Sequence, residues 1–154
     1  MTPVQTPITG KEDFADVSTP VQAIAQFYAA FNGRDDAVMA DNWDAEESIV
    51  SNDNQLGGIL RSRAEVLDRY SKIFKAPFEV YAEFVDYTIH EGADWFLAVG
   101  RERGTFKHDG QSFDFQTRDT RLFRRTGGRW KQVHHHGSFE DAELMARFQQ
   151  AAKG

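Results

Sequence analysis

Gln116-Thr117-Arg118-Asp119-Thr120-Arg121-Leu122-Phe123-Arg124-Arg125, then Thr126-Gly127-Gly128, then Arg129-Trp130-Lys131-Gln132-Val133-His134-His135-His136-Gly137-Ser138 is the stretch whose reading decides the fold. Two runs rich in Thr, Phe, Trp and Val flank a Gly-Gly turn, which is the pattern of a β-hairpin. The same stretch holds most of the cationic and imidazole side chains that could do chemistry. It contains no motif that fixes a reaction.

Working outward, residues 78–90, 95–108, 111–125 and 129–137 alternate apolar and polar and read as four long strands. Glu91-Gly92, Asp109-Gly110 and Thr126-Gly127-Gly128 supply the turns, and Asp-Gly is a strong two-residue hairpin signal. Before this meander the period is helical. Ser18-Thr19-Pro20 is a helix start, followed by Val21, Ile24, Ala25, Tyr28 and Phe31 on one face, with Phe27 widening the stripe and Asn32-Gly33 ending it. A short helix over 35–42 turns Val38 and Met39 inward and exits at Trp43. Residues 47–50 and 57–60 are short apolar pieces around a polar turn, 51–54, and suit a small hairpin. Ser62-Arg63-Ala64-Glu65 is a capping box for a helix with Val66, Leu67, Tyr70, Ile73 and Phe74 on one face, stopped by Pro77. Ser138-Phe139-Glu140-Asp141 caps a last helix carrying Leu144, Met145 and Phe148.

The expected architecture is α+β, with helices on one face of a curved antiparallel sheet. Long curved strands around a helix make a cone with an open end, a usual place for a pocket. Residues 1–17 read as a flexible arm and 18–154 as a single domain. At 154 residues, 40% of them hydrophobic and 13 of them Phe, the chain can build a large core or line a cavity. A net charge of −6 argues against nucleic acid. No Cys means no disulfide and no thiolate metal site. No apolar run is long enough to span a membrane, the N-terminus does not read as a secretory signal, and the expected location is cytoplasmic.

The chain resembles the SnoaL-like group of the nuclear transport factor 2-like superfamily over roughly residues 19–139. Arg118-Asp119-Thr120 followed by the run from Gly128 to Ser138 resembles that group's R-x-T and G-x-W-x-x-V-H-x-H-x-S. Thr120-Arg121-Leu122-Phe123 resembles T-R-V-W of the calcium/calmodulin-dependent kinase II association (hub) domain. The resemblance implies a cone-shaped, cystatin-like barrel, generally a homodimer packed sheet to sheet. The activities it implies are diverse, from isomerases, dehydratases and cyclases to binding and assembly modules, so the fold does not choose among them. By the same resemblance Arg121 and Arg101 match pocket arginines of the hub and Phe74 its pocket Trp, while Gly137 stands where the hub has a further Arg. Ketosteroid isomerases of this fold place a carboxylate base in the small hairpin and a Tyr on the first helix. Here Ser51 or Asn52 falls nearest the base and Phe27 falls at the Tyr, so that machinery is expected to be absent.

Faces depend on turn length. A three-residue turn over Thr126-Gly127-Gly128 pairs Arg125 with Arg129, sets Asp119 opposite His135, and puts Arg121 on their side. It leaves Arg118, His134 and His136 on the other face, with Trp130 and Leu122. A two-residue turn reverses this. A two-residue Asp-Gly turn puts Glu102 beside Arg121 in place of Arg101, and a bulge would restore Arg101, so that choice stays open. Arg121 and Arg101 are the candidate ligand-binding cations. His135 and Asp119 are the candidate acid–base pair, against the plainer alternative of a buried ion pair. Tyr28, Trp43, Tyr70 and Phe74 are candidate pocket walls, or simply core. Consecutive strand residues alternate sides, so His134 and His136 alone could share a metal, and two imidazoles are too few. No metal and no cofactor are expected. The reading is a homodimeric protein that binds a small, partly apolar molecule able to carry an acidic group. The alternatives are an isomerase, dehydratase or cyclase using His135, and an assembly module with a vestigial pocket.

Overall fold

Thr19 caps the first helix with its hydroxyl on the Gln22 amide, and Gln22 reaches back to the Thr19 amide, 3.2 Å each way. In this computed structural model, which describes residues 5–54 and 58–153, that helix is α1, Pro20–Gly33. It buries Ala23, Ile24, Ala25, Gln26, Phe27, Tyr28 and Ala30 and packs against the sheet. Asp35 caps α2, Asp36–Asn42, and Ser62 caps α3, Arg63–Lys75.

The four long strands are β3 Glu79–Glu91, β4 Trp95–His108, β5 Gln111–Thr126 and β6 Arg129–Phe139. The small hairpin differs from expectation. Glu47–Ile49 is a 3-10 turn, and the residues read as a polar turn form β1, Ser51–Asp53, which pairs with β2, Ile59–Leu60. Gln55, Leu56 and Gly57 lie outside the described residues. β1 also pairs in parallel with β6, so a single curved, unclosed sheet runs β2-β1-β6-β5-β4-β3. Asp141 caps the last helix, α4 Ala142–Lys153, with its carboxylate on the Glu143 and Leu144 amides.

The segment expected as a free arm is part of the fold from Gln5 onward; residues 1–4 lie outside the description. Ile8 and Phe84 exchange two backbone hydrogen bonds of 2.9 Å, which partly cover the edge strand β3. Ile8 and Val17 are buried, and the Val17 carbonyl accepts from the Trp130 amide. Ile8 and Val17, with the half-buried Phe14 packed against the core between them, hold it down.

Two hairpins set the faces. Asp109-Gly110 is a two-residue turn with both φ positive, and its ladder runs without interruption from His108 opposite Gln111 to Trp95 opposite Arg124. The second turn is Gly127-Gly128, φ 59° and 79°, with Thr126 opposite Arg129 and Arg125 opposite Trp130. The expected three-residue turn is therefore corrected. Farther along, β6 spends an extra residue, Val133, between the pairs Phe123–Gln132 and Leu122–His134. That bulge brings Arg121 opposite His135 and Asp119 opposite Gly137. The register is two residues from expectation, an even slip, so each of these side chains keeps its expected side. Trp130 does not. It precedes the bulge, faces inward, and is fully buried against Phe96 at 4.9 Å rather than sharing the outer face with His134.

The interior has two aromatic ends. Phe96, Phe123 and Trp130 pack the closed end, the two Phe rings stacked at 4.5 Å. Phe106, Phe113, Phe115 and Phe139 line the open end, where Phe148 of α4 lies across them at 5.3–6.4 Å. The charged belt described next lies on the same inner face.

Candidate functional site

Inner-face positions on three adjacent strands carry charge: Glu102 on β4, Asp119 and Arg121 on β5, and His135 on β6. Arg121 is completely buried. Its Nη1 donates to Gln132 Oε1 at 2.8 Å, and its Nη2 donates to Glu102 Oε2 at 3.1 Å and to the Tyr28 hydroxyl at 3.2 Å. Its Cζ lies 3.9 Å from the centre of the Phe27 ring, a cation–π stack. Tyr28 in turn donates to Glu102 Oε2 at 2.7 Å. Gln132 donates to Asn42, and Asn42 donates to the Ala23 carbonyl and to Gln26, each at 2.9 Å. A chain of buried amides thus anchors the guanidinium from the side of α1 and α2.

Beside this cluster, His135 Nε2 meets Asp119 Oδ2 at 2.5 Å, and the Thr117 hydroxyl donates to Asp119 Oδ1. His135 is 2% exposed, and its Nδ1 has no hydrogen-bond partner among the described residues. Burial pushes Asp119 up to about 6 against the pull of Arg121. Burial drives His135 well below its ordinary value, and the Arg121 charge adds to that. Glu102 is raised by burial and by Asp119. Burial opposes the charge of Arg121 too, but Tyr28, Glu102 and Asp119 more than offset it. With Glu102 paired to Arg121 and Asp119 ionised above about 6, the depressed His135 is a neutral imidazole. An ionised carboxylate only accepts, so Nε2 carries the imidazole proton and Nδ1 is left as a bare base.

The structure brings His135, Asp119, Arg121 and Tyr28 together and leaves Arg101 out. Arg101 points to the other face, paired with Asp86 and with Glu140. The uninterrupted Asp-Gly hairpin is the reason, and Glu102 takes the inner position. Trp43 is buried with its ring 6.2 Å from Tyr70, and Phe74 lies 6.3 Å from Tyr70. Both belong to the aromatic core around α3. Of the expected wall residues, Tyr70 alone lines the cavity of about 120 Å³ at the open end, with Asn52, Asn54, Gly58, Leu60, Arg69, Ile73 and Phe148. Arg121 does not line it. Asn52, expected near a carboxylate-base position, is the β1 register partner of His135. Gln132, Asn42 and Thr117 were not foreseen. The two-residue Asp-Gly alternative already puts Glu102 beside Arg121, but nothing local marks Gln132, whose side depends on the length of the Gly127-Gly128 turn.

His134 and His136 sit on the outer face, His134 Nδ1 2.7 Å from the Ser51 hydroxyl and His136 Nδ1 3.4 Å from Asp53. Ligand atoms of Glu102, Asp119 and His135 all lie within 4.8 Å of one another. Arg121 and Tyr28 already bond Glu102, and a buried guanidinium 3.1 Å from that donor oxygen repels a second cation. The donor set therefore fits a divalent ion poorly.

The family model for a SnoaL-like domain matches residues 21–142. Among solved structures, a candidate dehydratase of the NTF2-like family from Streptomyces avermitilis superposes with a TM-score of 0.72 at 24% identity, covering 82% of this chain and 97% of that one. A candidate calcium/calmodulin-dependent protein kinase type II association domain from Thiobacillus denitrificans gives 0.65 at 25% identity, over 80% and 96%. An NTF2-like superfamily protein from Salmonella enterica gives 0.69 at 15% identity, over 81% and 92%. No curated protein matches the chain. No helix among the described residues is long and apolar enough to cross a membrane.

Proposed function

The chain belongs to the SnoaL-like domain family, and from that premise we propose that it is a cytoplasmic protein whose cone receives a small, partly apolar molecule at the open end. The observation that supports this is the His135–Asp119 pair, buried with an unpartnered Nδ1 and next in register to a cavity residue, Asn52. An unmet buried acceptor costs about 1–3 kcal/mol, which a donor brought to Nδ1 would recover. The other buried polar atoms without a partner among the described residues, on Trp43, Arg63, Arg121, Arg129 and Trp130, are all N–H donors. His135 and Asp119 lie behind Asn52 rather than in the cavity lining, so in this reading a ligand that reaches past Asn52 meets Nδ1 as base, with Asp119 holding the tautomer. Arg121 acts in this reading by fixing Glu102 and Tyr28 rather than by gripping a ligand, since both its Nη atoms are engaged. A thermal-shift screen of small neutral and acidic molecules tests binding. Compounds that raise the melting temperature are then followed by proton NMR in deuterated water. Exchange of a carbon-bound proton that stops in His135→Gln is the expected result. A screen without a single shift would defeat the reading.

A second reading, homodimeric assembly, is favoured by the outer sheet face. Trp95 and Val99 are 45% and 42% exposed there, and Leu97 and Leu122 lie between them in register. An apolar face of this kind suits a partner sheet. Sedimentation at tens of micromolar (on the order of usual assay concentration) should give a dimer, and Trp95→Glu should give a monomer with the cone intact.

A further inference from the structure

The cavity at the open end has an apolar wall of Leu60, Ile73 and Phe148 and a polar corner made by Asn52 and Tyr70. Asn52 Nδ2 donates to the Tyr70 hydroxyl at 3.2 Å. That bond uses the hydroxyl oxygen. The hydroxyl proton has no acceptor among the described residues, although Tyr70 is 4% exposed. Burial raises the Tyr70 pKa above its ordinary value, so the group remains a donor at every working pH. A buried O–H donor without an acceptor costs about 1–3 kcal/mol, which a ligand oxygen placed there would recover.

The surroundings choose the kind of oxygen. Arg69 lines the cavity but is already partnered. Arg121 is outside the lining, spent on Glu102, Tyr28 and Gln132. At Tyr70 burial is the largest influence and disfavours a charged oxygen, with Glu102 and Asp119 adding to it against the pull of Arg121. At about 120 Å³ the space equals about four water volumes, enough for a single small ring. We propose that this cavity binds a small uncharged carbonyl compound, its oxygen accepting from the Tyr70 hydroxyl and its body lying against Leu60, Ile73 and Phe148. The assignment rests on the reading of the cone as a small-molecule site and narrows it, replacing the acid expected from the sequence with a neutral ligand. Asn52 and His135 are register partners on adjacent strands. The backbone of the polar corner's Asn52 is therefore one strand spacing, about 5 Å, from that of His135.

The test uses a matched pair, cyclohexanone and cyclohexanecarboxylate, on the wild type and on Tyr70→Phe, by thermal shift and ligand-observed NMR. The wild type should gain several degrees of melting temperature from the ketone by mass action and none from the acid. Tyr70→Phe keeps the ring and its packing and should bind the ketone about tenfold more weakly, as expected when one hydrogen bond to a buried donor is lost. Acid binding as tight as ketone binding, or ketone binding unchanged in Tyr70→Phe, overturns the proposal. If the acid binds and the ketone does not, the pocket stands and this inference fails. If neither compound binds the wild type, both readings fall.

Discussion

The two hairpins that share β5 turn through the same kind of two-residue bend and arrive at different outcomes. Behind Asp109-Gly110 the ladder is unbroken, so counting back from the turn puts Glu102 inside and Arg101 outside. Behind Gly127-Gly128 the same count would put His134 opposite Arg121 and His135 outside. The bulge at Val133 reverses that and delivers His135 to the belt. The difference teaches that a turn fixes register only up to the first bulge, and that a bulge lets one strand serve two needs. Ahead of it Trp130 and Gln132 face the closed end, where the Gln132 carbonyl also takes the Asp44 amide. Beyond it His135 faces the open one.

The largest expected effect separates neighbours on the unbroken hairpin. Glu102→Ala strands the buried Arg121 and should cost about 3–5 kcal/mol in urea unfolding. A cost below about 1 kcal/mol, the range of an exposed pair, would mean that the inner-face assignment is wrong.

Less is expected from the bulge itself. Deleting Val133 lets β6 run straight while His135 still faces Arg121. The penalty should be about 1–3 kcal/mol for one lost buried side chain. A deletion that moved His135 into solvent, seen as a rise of its pKa to the ordinary value, would show that the extra residue is not what sets the face.

Much of this was legible in the sequence. Thr19 and Ser62 announce their helices through caps, and the alternation from β3 to β6 announces a meander. That Asp119 and Arg121 share a side was legible from alternation, but His135 joins them only because the two-residue turn and the bulge together differ from the expected three-residue turn by an even slip. The bulge was not, because nothing in Gln132-Val133-His134 differs from an ordinary strand. Tertiary demand decides it, through the docking of Asp44 and Trp43 on Gln132. For the same reason the sequence reads Arg121 as a ligand anchor. Its partners Tyr28 and Gln132 come from 93 and 11 residues away and appear only once the sheet closes over α1.

A smaller effect concerns pH. Asp119 is raised in the fold from 3.8 to about 6, so the native state binds more protons than the unfolded chain across that window. Its contribution is complete below the lower value and is lost as pH rises through the upper one. His135 is depressed, so its contribution is complete above 6.5 and is lost as pH falls through its native value. The two oppose each other in the wild type. His135→Gln should therefore lose stability as pH rises from about 4 to 6, and Asp119→Asn should gain it. Slopes of the same sign in both variants would contradict the assignment.

Smallest is the counterpart on the outer face. Arg101→Ala breaks solvent-exposed pairs with Asp86 and Glu140 and should shift the urea midpoint far less than Glu102→Ala does, and less again at high salt.

The central claim is that His135 is a buried neutral imidazole whose Nδ1 is a free base held by Asp119. Nitrogen-15 NMR of the five histidines, assigned with His135→Gln, reads this directly. The account predicts that at pH 7 His135 carries its proton on Nε2 and leaves Nδ1 bare, with a pKa below the ordinary 6.5. A proton on Nδ1, or an imidazolium at pH 7, would contradict it.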